Sequence, residues 1–443
     1  MSPTVKRPPN LRNLSAQQKL ALQATGGDVL AYFPHVAQHY GDVVDISSDN
    51  WQSYLLSHPE HIEHVHVQTG RIFDKGYGGD PMLDALFGNG IIVSEREFWL
   101  RQRRMIQPAF HRERIAGYAE VMTAYALRMV QGWEPGQTRD VHEDMMAVTL
   151  EIILKTLFDT ELGDQTAAMG RIMDGVLGGM AEMQTQDPAA FARGQGRFGD
   201  SIAGLNAFTA RVIAERQNNP RDTGDLLSML LATRDDDGKG MDDQQILDEC
   251  KNLIMAGHET TSNTLTWTWL LLSQNPQAEA KLHAELEAVL GGRAPTMADL
   301  GRLEYTNWVI KEAMRIYPPV FGVSRVAARD TEIGGYFVPA GMTLQMSQWV
   351  VHRDPRWFAE PLEFRPERWA DDLERRIPKY AYFPFGGGAR MCIGNSFALM
   401  EAPLILATVA QKFRLEVLPQ EVVLEPSITL RPQHGLKVRL ERR

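Results

Sequence analysis

The feature that most restricts how this chain can fold is a long run with helical periodicity, from Met241 to Gln274. Apolar residues recur there at intervals of three and four, as at Ile246, Cys250 and Leu253, and this spacing is typical of one face of a helix. Pro276 follows two residues after the run, and a residue that lacks a backbone N–H ends a helix. The pattern therefore predicts one very long helix through the interior of the protein.

Helical patterns dominate the rest of the chain, and strand patterns are short. Two further amphipathic helices are predicted, in residues 276–292 and 303–317. Alternation typical of strands is confined to residues 41–47, 334–347, 413–422 and 434–441. No repeat and no low-complexity linker divides the sequence. We therefore predict a mainly α-helical fold with small β-sheets at one side, in a single domain over residues 1–443.

Composition excludes several classes of protein. The chain has 443 residues and a net charge of -10, whereas nucleic-acid binding needs a basic face. Its two cysteines are too few for a disulfide scaffold and fit a reducing cytosol. The N-terminal residues lack the apolar core of a signal peptide, and no apolar run is long enough to span a membrane. We therefore expect a cytoplasmic protein with no membrane anchor and no nucleic-acid partner.

Cys392 lies between a glycine-rich turn, FPFGGGARM, and a predicted helix. Glycines let the backbone curl closely past a bound group, and the helix N-terminus together with Arg390 favours the thiolate form of Cys392. The stretch satisfies the pattern F-x-x-G-x-R-x-C-x-G with Phe385, Gly388, Arg390, Cys392 and Gly394. Five fixed positions arise by chance in such a chain about once in ten thousand, which disfavours a buried cysteine beside an ordinary turn.

This pattern resembles the haem-ligand loop of the cytochrome P-450 family, and the resemblance extends over nearly the whole chain. It implies the P-450 fold, with a long central helix over a haem b (iron protoporphyrin IX). Cys392 would then be the proximal thiolate ligand of the haem iron and would favour O–O cleavage. Phe385 would pack against the porphyrin, and Arg390 would pair with a haem propionate. Gly388 and Gly394 would permit the close approach of the backbone.

Other residues match motifs that bind the haem in this family. Trp99 and Arg103 lie four apart, on one face of a predicted helix. Alone they could belong to a solvated basic patch, but they resemble the family's W-x-x-x-R helix, whose side chains bind a propionate. Arg325 lies where many relatives supply another propionate-binding arginine. The resemblance therefore implies that all three residues bind the cofactor.

Glu312 and Arg315 lie three apart in a predicted helix, where by themselves they could be a surface ion pair of little energetic value. They resemble the family's E-x-x-R helix, which joins a downstream arginine in a buried network. Here that arginine is Arg368. The resemblance implies that the three residues hold the cysteine loop in place and do no chemistry.

The long helix contains the segment MAGHETTSN, which resembles the family's A-G-x-[DE]-T-[TS] motif. The small residues Ala256 and Gly257 would let the helix open locally and admit dioxygen. Thr260 would donate a hydrogen bond to dioxygen and Glu259 would supply protons through water, because monooxygenation needs two protons. Alternatively, the threonines bond back to carbonyls of their own helix, and both interpretations can hold together.

The resemblance places substrate contacts in four segments, and their predicted lining is mainly apolar. It comprises Met82, Leu83, Leu86, Phe87, Ile91, Ala256, Val320, Phe321, Val323 and Ile428. Met173, Met180 and Met183 would add pliable surface in a region that often forms a lid. Residues 184–199 lack a period and are predicted to form a mobile connection. Such a pocket suits a lipophilic guest such as a fatty acid, a terpenoid or carotenoid, or a polyketide.

The chain contains no flavin or nicotinamide fingerprint and no iron–sulfur cysteine set. The resemblance therefore implies a chain without a fused reductase. Electrons would come from a separate ferredoxin or flavodoxin with an NAD(P)H-dependent reductase. Arg101, Arg104, Arg112 and Arg114 form either a docking site for an acidic carrier or a plain solvated basic surface.

The predicted function is a monooxygenase that inserts one oxygen atom of dioxygen into a C–H or C=C bond of a lipophilic substrate. Two alternatives keep the haem, namely a peroxygenase that uses peroxide and a non-catalytic haem sensor or store. The Glu259–Thr260 pair argues against both. A non-haem cysteine enzyme is a more distant alternative.

Four histidines fall within nine residues and suggest a metal site as a further alternative: His58, His61, His64 and His66. His61 and His64 alternate with carboxylates, as on the wetted face of a helix, and this favours a solvated helix. Cys250 falls on an apolar helical stripe and is predicted to lie in the core.

Overall fold

The computed structural model describes residues 6–13, 23, 25, 28–49, 51–78, 80–183 and 196–443. Over these residues the protein is mainly α-helical with small β-sheets, as the sequence predicts. The α-helices are α1 (Val29–Tyr40), α2 (Pro59–Val67), α3 (Pro81–Phe87), α4 (Arg96–Ile106), α5 (Arg112–Gln131), α6 (Val141–Phe158), α7 (Thr166–Met183), α8 (Arg197–Asn218), α9 (Leu226–Ala232), α10 (Asp243–Gln274), α11 (Pro276–Leu290), α12 (Glu304–Ile316), α13 (Gln348–Val351), α14 (Leu373–Arg376) and α15 (Asn395–Ala410). The strands are β1 (Val43–Asp45), β2 (Ser53–Leu56), β3 (Phe73–Asp74), β4 (Thr138–Asp140), β5 (Val323–Ala327), β6 (Thr331–Ile333), β7 (Tyr336–Val338), β8 (Thr343–Met346), β9 (Phe413–Val417), β10 (Leu424–Pro426), β11 (Leu430–Pro432) and β12 (Lys437–Arg442). Short 3-10 helices lie at Leu11–Asn13, Gln107–Phe110, Gly163–Gln165, Met297–Asp299, Pro366–Trp369, Lys379–Ala381 and Gly388–Arg390.

The chain forms two compact units, and each is assembled from separate stretches of sequence. The first comprises Met1–Gly76 and Lys311–Cys392, and the second comprises Tyr77–Ile310 and Ile393–Arg443. In the first unit a five-stranded sheet has the order β1-β2-β8-β5-β3, with β2 and β8 parallel, and β6–β7 is a separate hairpin. In the second unit most helices accompany a three-stranded sheet, β4-β12-β9, and the hairpin β10–β11. The single domain over residues 1–443 stays a prediction.

The long helix predicted from the sequence is α10, with 32 residues and a length of about 48 Å. Asp242 is the N-cap of this helix, and its side chain accepts a hydrogen bond from the Gln245 N–H at 2.8 Å. Most of its side chains are buried, and Trp267 is among the largest fully buried side chains of the protein. A helix buried nearly all round can serve as the scaffold on which other elements are placed.

The structure corrects two expectations about the region around α7 and α8. Residues 184–195 of the predicted mobile connection lie outside the described residues, but residues 197–199 begin α8. That start is ordered because Phe198 is buried against α7, where a Cβ on Gly179 would lie 2.6 Å from the Phe198 Cβ. Met173 is also buried, so it is a core side chain and not pliable lid surface. The side chains of Met180 and Met183 lie outside the described residues.

The histidine-rich stretch forms α2 and its N-cap, and the metal-site alternative is not supported. His58 caps the helix by accepting a hydrogen bond from the Glu60 N–H at 3.3 Å. His66 is fully buried. Across the described ranges, no group of three or more His, Cys, Asp or Glu side chains is arranged to hold a metal ion. Cys250 lies in the core, as predicted.

One further property of the helices concerns membranes. Of the helices in the described part of the chain, none is both long enough and apolar enough to cross a bilayer.

Candidate functional site

Cys392 is presented at the surface of the first unit by a tightly closed loop. Its N–H donates to the Phe385 carbonyl at 3.0 Å, which closes the loop, and its side chain is exposed. Gly388 has φ 63°, and a Cβ there would collide with the His66 carbonyl oxygen, so only glycine fits this position. The other cysteine, Cys250, is buried, and burial raises the pKa of its thiol. Cys392 is thus the cysteine whose sulfur can reach a ligand.

Aromatic stacking supports the loop from within the same unit. The Gly388 N–H donates to the Tyr380 hydroxyl at 3.2 Å, and the Tyr380 ring stacks on His66 with centroids 5.2 Å apart. Burial, together with the nearby Arg325, lowers the pKa of His66 to about 3, so this imidazole is neutral. The solvated face is expected from the sequence only for His61 and His64, of which His64 is exposed and His61 is half-buried. His66 instead lies in the core, where its ring supports the cysteine loop.

The structure brings Glu312, Arg315 and Arg368 together in a buried ion network. Arg315 donates to both Glu312 carboxylate oxygens, from Nε at 2.9 Å and from Nη2 at 2.8 Å. The Arg368 Nε donates to Glu312 at 2.7 Å, and the Trp369 indole donates at 2.9 Å. Glu312 and Arg315 are completely buried. Every donor and acceptor of the pair is thus engaged where water cannot replace a lost partner.

His352 joins this network to the cysteine loop. The Arg315 Nη1 donates to the His352 carbonyl at 2.9 Å, and the Phe383 N–H donates to the His352 Nε2 at 3.0 Å. Phe383 lies two residues before Phe385 in the loop. His352 could not be identified from the sequence, because no periodicity or motif marks it. The network therefore acts on the loop through a neutral, buried imidazole, whose pKa burial lowers well below the ordinary value.

Three of the predicted propionate-binding residues lie on regular secondary-structure elements. Arg325 is buried on β5 of the first unit, where its Nε donates to the Thr69 hydroxyl at 3.3 Å. Trp99 and Arg103 lie on α4 of the second unit, with Trp99 buried and Arg103 half-buried. Among the remaining loop positions Phe385, Arg390 and Gly394 are half-buried. Gly394 has φ -88° and directly precedes α15, so no positive φ requires a glycine there.

The middle of α10 has one open face within an otherwise buried helix. Ala256 is exposed, while Gly257 and Thr260 are half-exposed. The Thr260 hydroxyl donates to the Ala256 carbonyl at 2.9 Å, so the back-bonded geometry is present. The expected local opening is not seen, because α10 is continuous. Gly257 instead has a packing role, since a Cβ there would lie 2.5 Å from the Ile153 Cδ1 of α6.

Glu259 is buried and bound by the C-terminal hairpin. Its Oε1 accepts a hydrogen bond of 2.5 Å from the Thr429 hydroxyl, a contact between residues 170 apart that could not be predicted from the sequence. Burial raises the pKa of Glu259 to about 7, and Thr429 and Arg431 partly offset this effect. A carboxyl group with this proton affinity can both hold and release a proton near neutral pH.

The first turns of α10 hold the loop that carries part of the predicted substrate lining. Glu249 accepts from the Ile91 N–H at 2.9 Å, and Asn252 accepts from the Ile92 N–H at 3.1 Å. Asn252 also donates to the Phe87 carbonyl at 2.7 Å. No sequence motif marks these buried polar residues, although their spacing places them on one helix face.

The predicted pocket residues differ in exposure. Those of the second unit include Leu86, which is completely buried and is therefore a core side chain, a correction to the predicted lining. Phe87 and Ile91 are also buried, although they keep exposed fractions of 5% and 8%, whereas Ile428 is exposed at the hairpin tip. The remaining predicted positions are half-buried: Met82, Leu83, Val320, Phe321 and Val323.

Part of the basic cluster on α4 and α5 serves the structure of the second unit. Arg101 donates to Asp235 at 2.6 Å, and Arg114 donates to the Gly224 carbonyl at 3.0 Å. Arg104 is exposed, and the side chain of Arg112 lies outside the described residues. Only part of this cluster is thus available to a partner.

The buried carboxyl group of Glu401 is expected to make the free energy of unfolding fall as the pH rises. Burial raises the pKa of Glu401 from 4.5 to about 8. Between these values the folded protein retains a proton that the unfolded chain releases, so the free energy of unfolding decreases with rising pH. Glu401→Gln keeps the neutral form, and we expect it to lose at least about 1 kcal/mol less than the wild type between pH 5 and 8. Urea unfolding across this range tests this, with Glu374→Gln at a half-exposed position as control. Equal slopes in all three proteins would contradict it.

Comparison with known sequences gives a family and several relatives. The family model described as Cytochrome P450 matches residues 8–439. Cyclooctatin synthase of Streptomyces melanosporofaciens is 38% identical over 86% of this chain and 84% of the relative. Cyclooctat-9-en-7-ol 5-monooxygenase of the same organism is 38% identical with the same coverage. Pentalenene oxygenase of Streptomyces avermitilis is 33% identical over 89% of this chain and 87% of the relative.

A solved structure agrees in fold. The heme domain of cytochrome P450DA superposes on the protein with a TM-score of 0.89 at 27% identity. The match covers 99% of this chain and 98% of that structure. The fold class predicted from the sequence is thereby confirmed.

Proposed function

The chain belongs to the cytochrome P450 family, and from this membership we infer the role of each residue described above. It is a monooxygenase with a haem-iron cofactor. We propose that the cofactor is haem b and that Cys392 supplies the thiolate ligand. The observation that carries this proposal is the exposed Cys392 on a loop fixed by a buried ion network, while the other cysteine is buried.

The residues present fit such a group in their chemistry. Thiolate sulfur is a ligand of haem iron in this class of proteins, and arginine side chains pair with carboxylates such as propionates. Arg325, Arg390 and Arg103 are the cations proposed to hold the propionates, and Trp99 is proposed to donate from its indole. Ala256 is exposed in the middle of α10, between buried stretches of the helix, so one face of α10 is left uncovered by protein there. A bound haem iron would activate dioxygen for insertion of one oxygen atom into the substrate.

Glu259 and Thr260 are proposed to supply the protons that the reaction consumes. Glu259 holds a proton near neutral pH because it is buried, and its neighbour Thr260 lies on the open face of α10. The Thr260 hydroxyl donates to Ala256 at rest, and rotation about one side-chain bond would turn that hydrogen toward the open face. Glu259 is thus proposed to hold the proton, and Thr260 to pass it on toward the open face of α10.

Thr260→Ala tests this role. We expect the peroxide released per product formed to rise by about tenfold or more, because proton delivery then lags behind reduction. Hydrogen peroxide and product are measured in the same turnover assay. The matched control is Thr268→Ala, since Thr268 is also back-bonded, at 2.7 Å to the Thr264 carbonyl, but is completely buried. Unchanged coupling in Thr260→Ala, or equal uncoupling in the control, would contradict the proposal.

We propose that the substrate is a terpenoid. Two relatives are named for cyclooctat-9-en-7-ol and pentalenene, and the apolar positions Phe87, Ile91 and Ile428 suit a hydrocarbon skeleton. Phe87 at the end of α3 and Ile91 in the loop that follows are both fixed by buried hydrogen bonds, since Asn252 donates to the Phe87 carbonyl and Glu249 accepts from the Ile91 N–H. A rigid apolar wall of this kind favours a compact, rigid guest over a flexible chain.

Electrons are proposed to come from a separate ferredoxin or flavodoxin with its NAD(P)H-dependent reductase. Arg104 is exposed and can contact an acidic carrier, whereas Arg101 and Arg114 are engaged within the second unit. Exposed charges of this kind raise the rate of association more than the affinity.

A further inference from the structure

Three residues of α10 form a stripe that binds the C-terminal hairpin. Glu259, Asn263 and Trp267 are spaced by four, so they lie on one face of the helix. The Trp267 indole donates to the Leu430 carbonyl at 3.0 Å, and the Asn263 Nδ2 donates to the Thr429 hydroxyl at 3.2 Å. The Thr429 hydroxyl donates in turn to Glu259 at 2.5 Å. The hairpin β10–β11 is therefore fixed to the same helix face that carries the acid.

The direction of these hydrogen bonds is set by the donors available. An amide nitrogen can only donate, so the Thr429 oxygen must accept from Asn263. The single hydroxyl proton of Thr429 is then left for Glu259, which accepts it best as a carboxylate. Thr429 and Asn263 are both buried, with exposed fractions of 3% and 0%, so these hydrogen bonds are shielded from bulk solvent. The hydrogen bond from Thr429 therefore favours the ionised form of Glu259, whereas burial favours its neutral form.

Charged side chains on the surrounding elements also affect the protonation of Glu259. Arg431, on β11, is two residues after Thr429 and favours the ionised acid. Glu425 on β10 and Asp174 on α7 oppose it. Glu425 also binds the Arg431 Nε at 2.6 Å, which holds that guanidinium in place. Arg431 and Glu425 belong to the hairpin, so two of these three charged side chains are placed by the element that also carries Thr429.

We propose that Thr429 is a positioning residue that fixes the Glu259 carboxyl group and sets its affinity for protons. The inference rests on the proposed role of Glu259 as the proton store. Ile428, the exposed apolar residue at the hairpin tip, directly precedes Thr429. A guest that contacts the tip would thus act on the backbone that carries the Thr429 hydroxyl.

The test measures the protonation of Glu259 without turnover. Infrared spectra of the substrate-free ferric protein are recorded against pH, and the carboxylic acid band of Glu259 is the one that Glu259→Gln removes. In Thr429→Val the midpoint of this band should rise by about one pH unit or more, because the bond that favours the ionised form is lost. Thr429→Ser keeps the hydroxyl and should retain the wild-type midpoint.

A matched control variant and a second measurement distinguish failure of the inference about Thr429 from failure of the proposed role of Glu259. Thr156→Val makes the same change at a buried threonine whose hydroxyl donates to its own helix, at 2.7 Å to the Ile152 carbonyl, and should leave the midpoint unchanged. An unchanged midpoint in Thr429→Val, or an equal shift in Thr156→Val, would overturn the inference. If Glu259→Gln leaves the ratio of peroxide to product unchanged, the proposed role of Glu259 fails, whereas the midpoint still decides whether Thr429 controls its protonation.

Discussion

Replacing Cys392 with serine is expected to reduce monooxygenation to about one thousandth of the wild-type rate or less. The change removes the proposed thiolate ligand, and with it the electron donation that favours O–O cleavage. A serine in this loop keeps the volume and the backbone hydrogen bond to Phe385, so the loop itself should persist. Product formation is measured with a terpenoid substrate and an added redox partner.

The control for this experiment is Cys250→Ser. Cys250 is completely buried on α10, so its replacement places a hydroxyl in the core and costs some stability. It should keep the monooxygenase activity of the protein that folds. A loss of activity confined to Cys250→Ser would contradict the assignment of the two cysteines.

Glu312→Ala is expected to destabilise the protein by about 3–5 kcal/mol and to leave little haem-loaded protein. The substitution strands the buried Arg315 guanidinium and removes the acceptor of Arg368 and Trp369. The substitution also weakens the hydrogen bonds by which Arg315 and His352 hold the cysteine loop. Urea unfolding and the ratio of haem to protein in the purified variant measure the two effects.

A surface ion pair between α12 and α14 supplies the comparison. Lys311 binds Glu374, whose side chain is about half exposed, so Glu374→Ala should cost less than about 1 kcal/mol and retain normal haem content. Normal haem content in Glu312→Ala would refute the supporting role of the network. Equal destabilisation by both variants would show that burial of Glu312 is not the cause.

Contacts governed by spacing within one element could be predicted from the sequence. The bounds of α10 and α12 follow from apolar periodicity and from nearby prolines. Glu312 and Arg315 are three residues apart on α12, so their pairing needed no knowledge of the tertiary structure. The position of Cys392 before α15 was likewise predicted from a local motif.

Contacts between distant segments could not be predicted in this way. His352 and Phe383 are 31 residues apart, and Glu259 and Thr429 are 170 apart. A lone histidine or threonine has the same sequence signature whether it faces water or a buried partner. At Gly257 the sequence suggested a role that the structure does not show. The motif suggested a local opening of the helix, whereas the glycine is needed because Ile153 packs closely against it. Tertiary partners, which the sequence does not display, determine these roles.

The most direct test of the central claim is X-ray absorption at the iron edge of the ferric protein. The thiolate assignment predicts a sulfur ligand to iron in the wild type and in Cys250→Ser, and its loss in Cys392→Ser. A wild-type iron without a sulfur ligand, or a sulfur ligand that persists in Cys392→Ser, would contradict it.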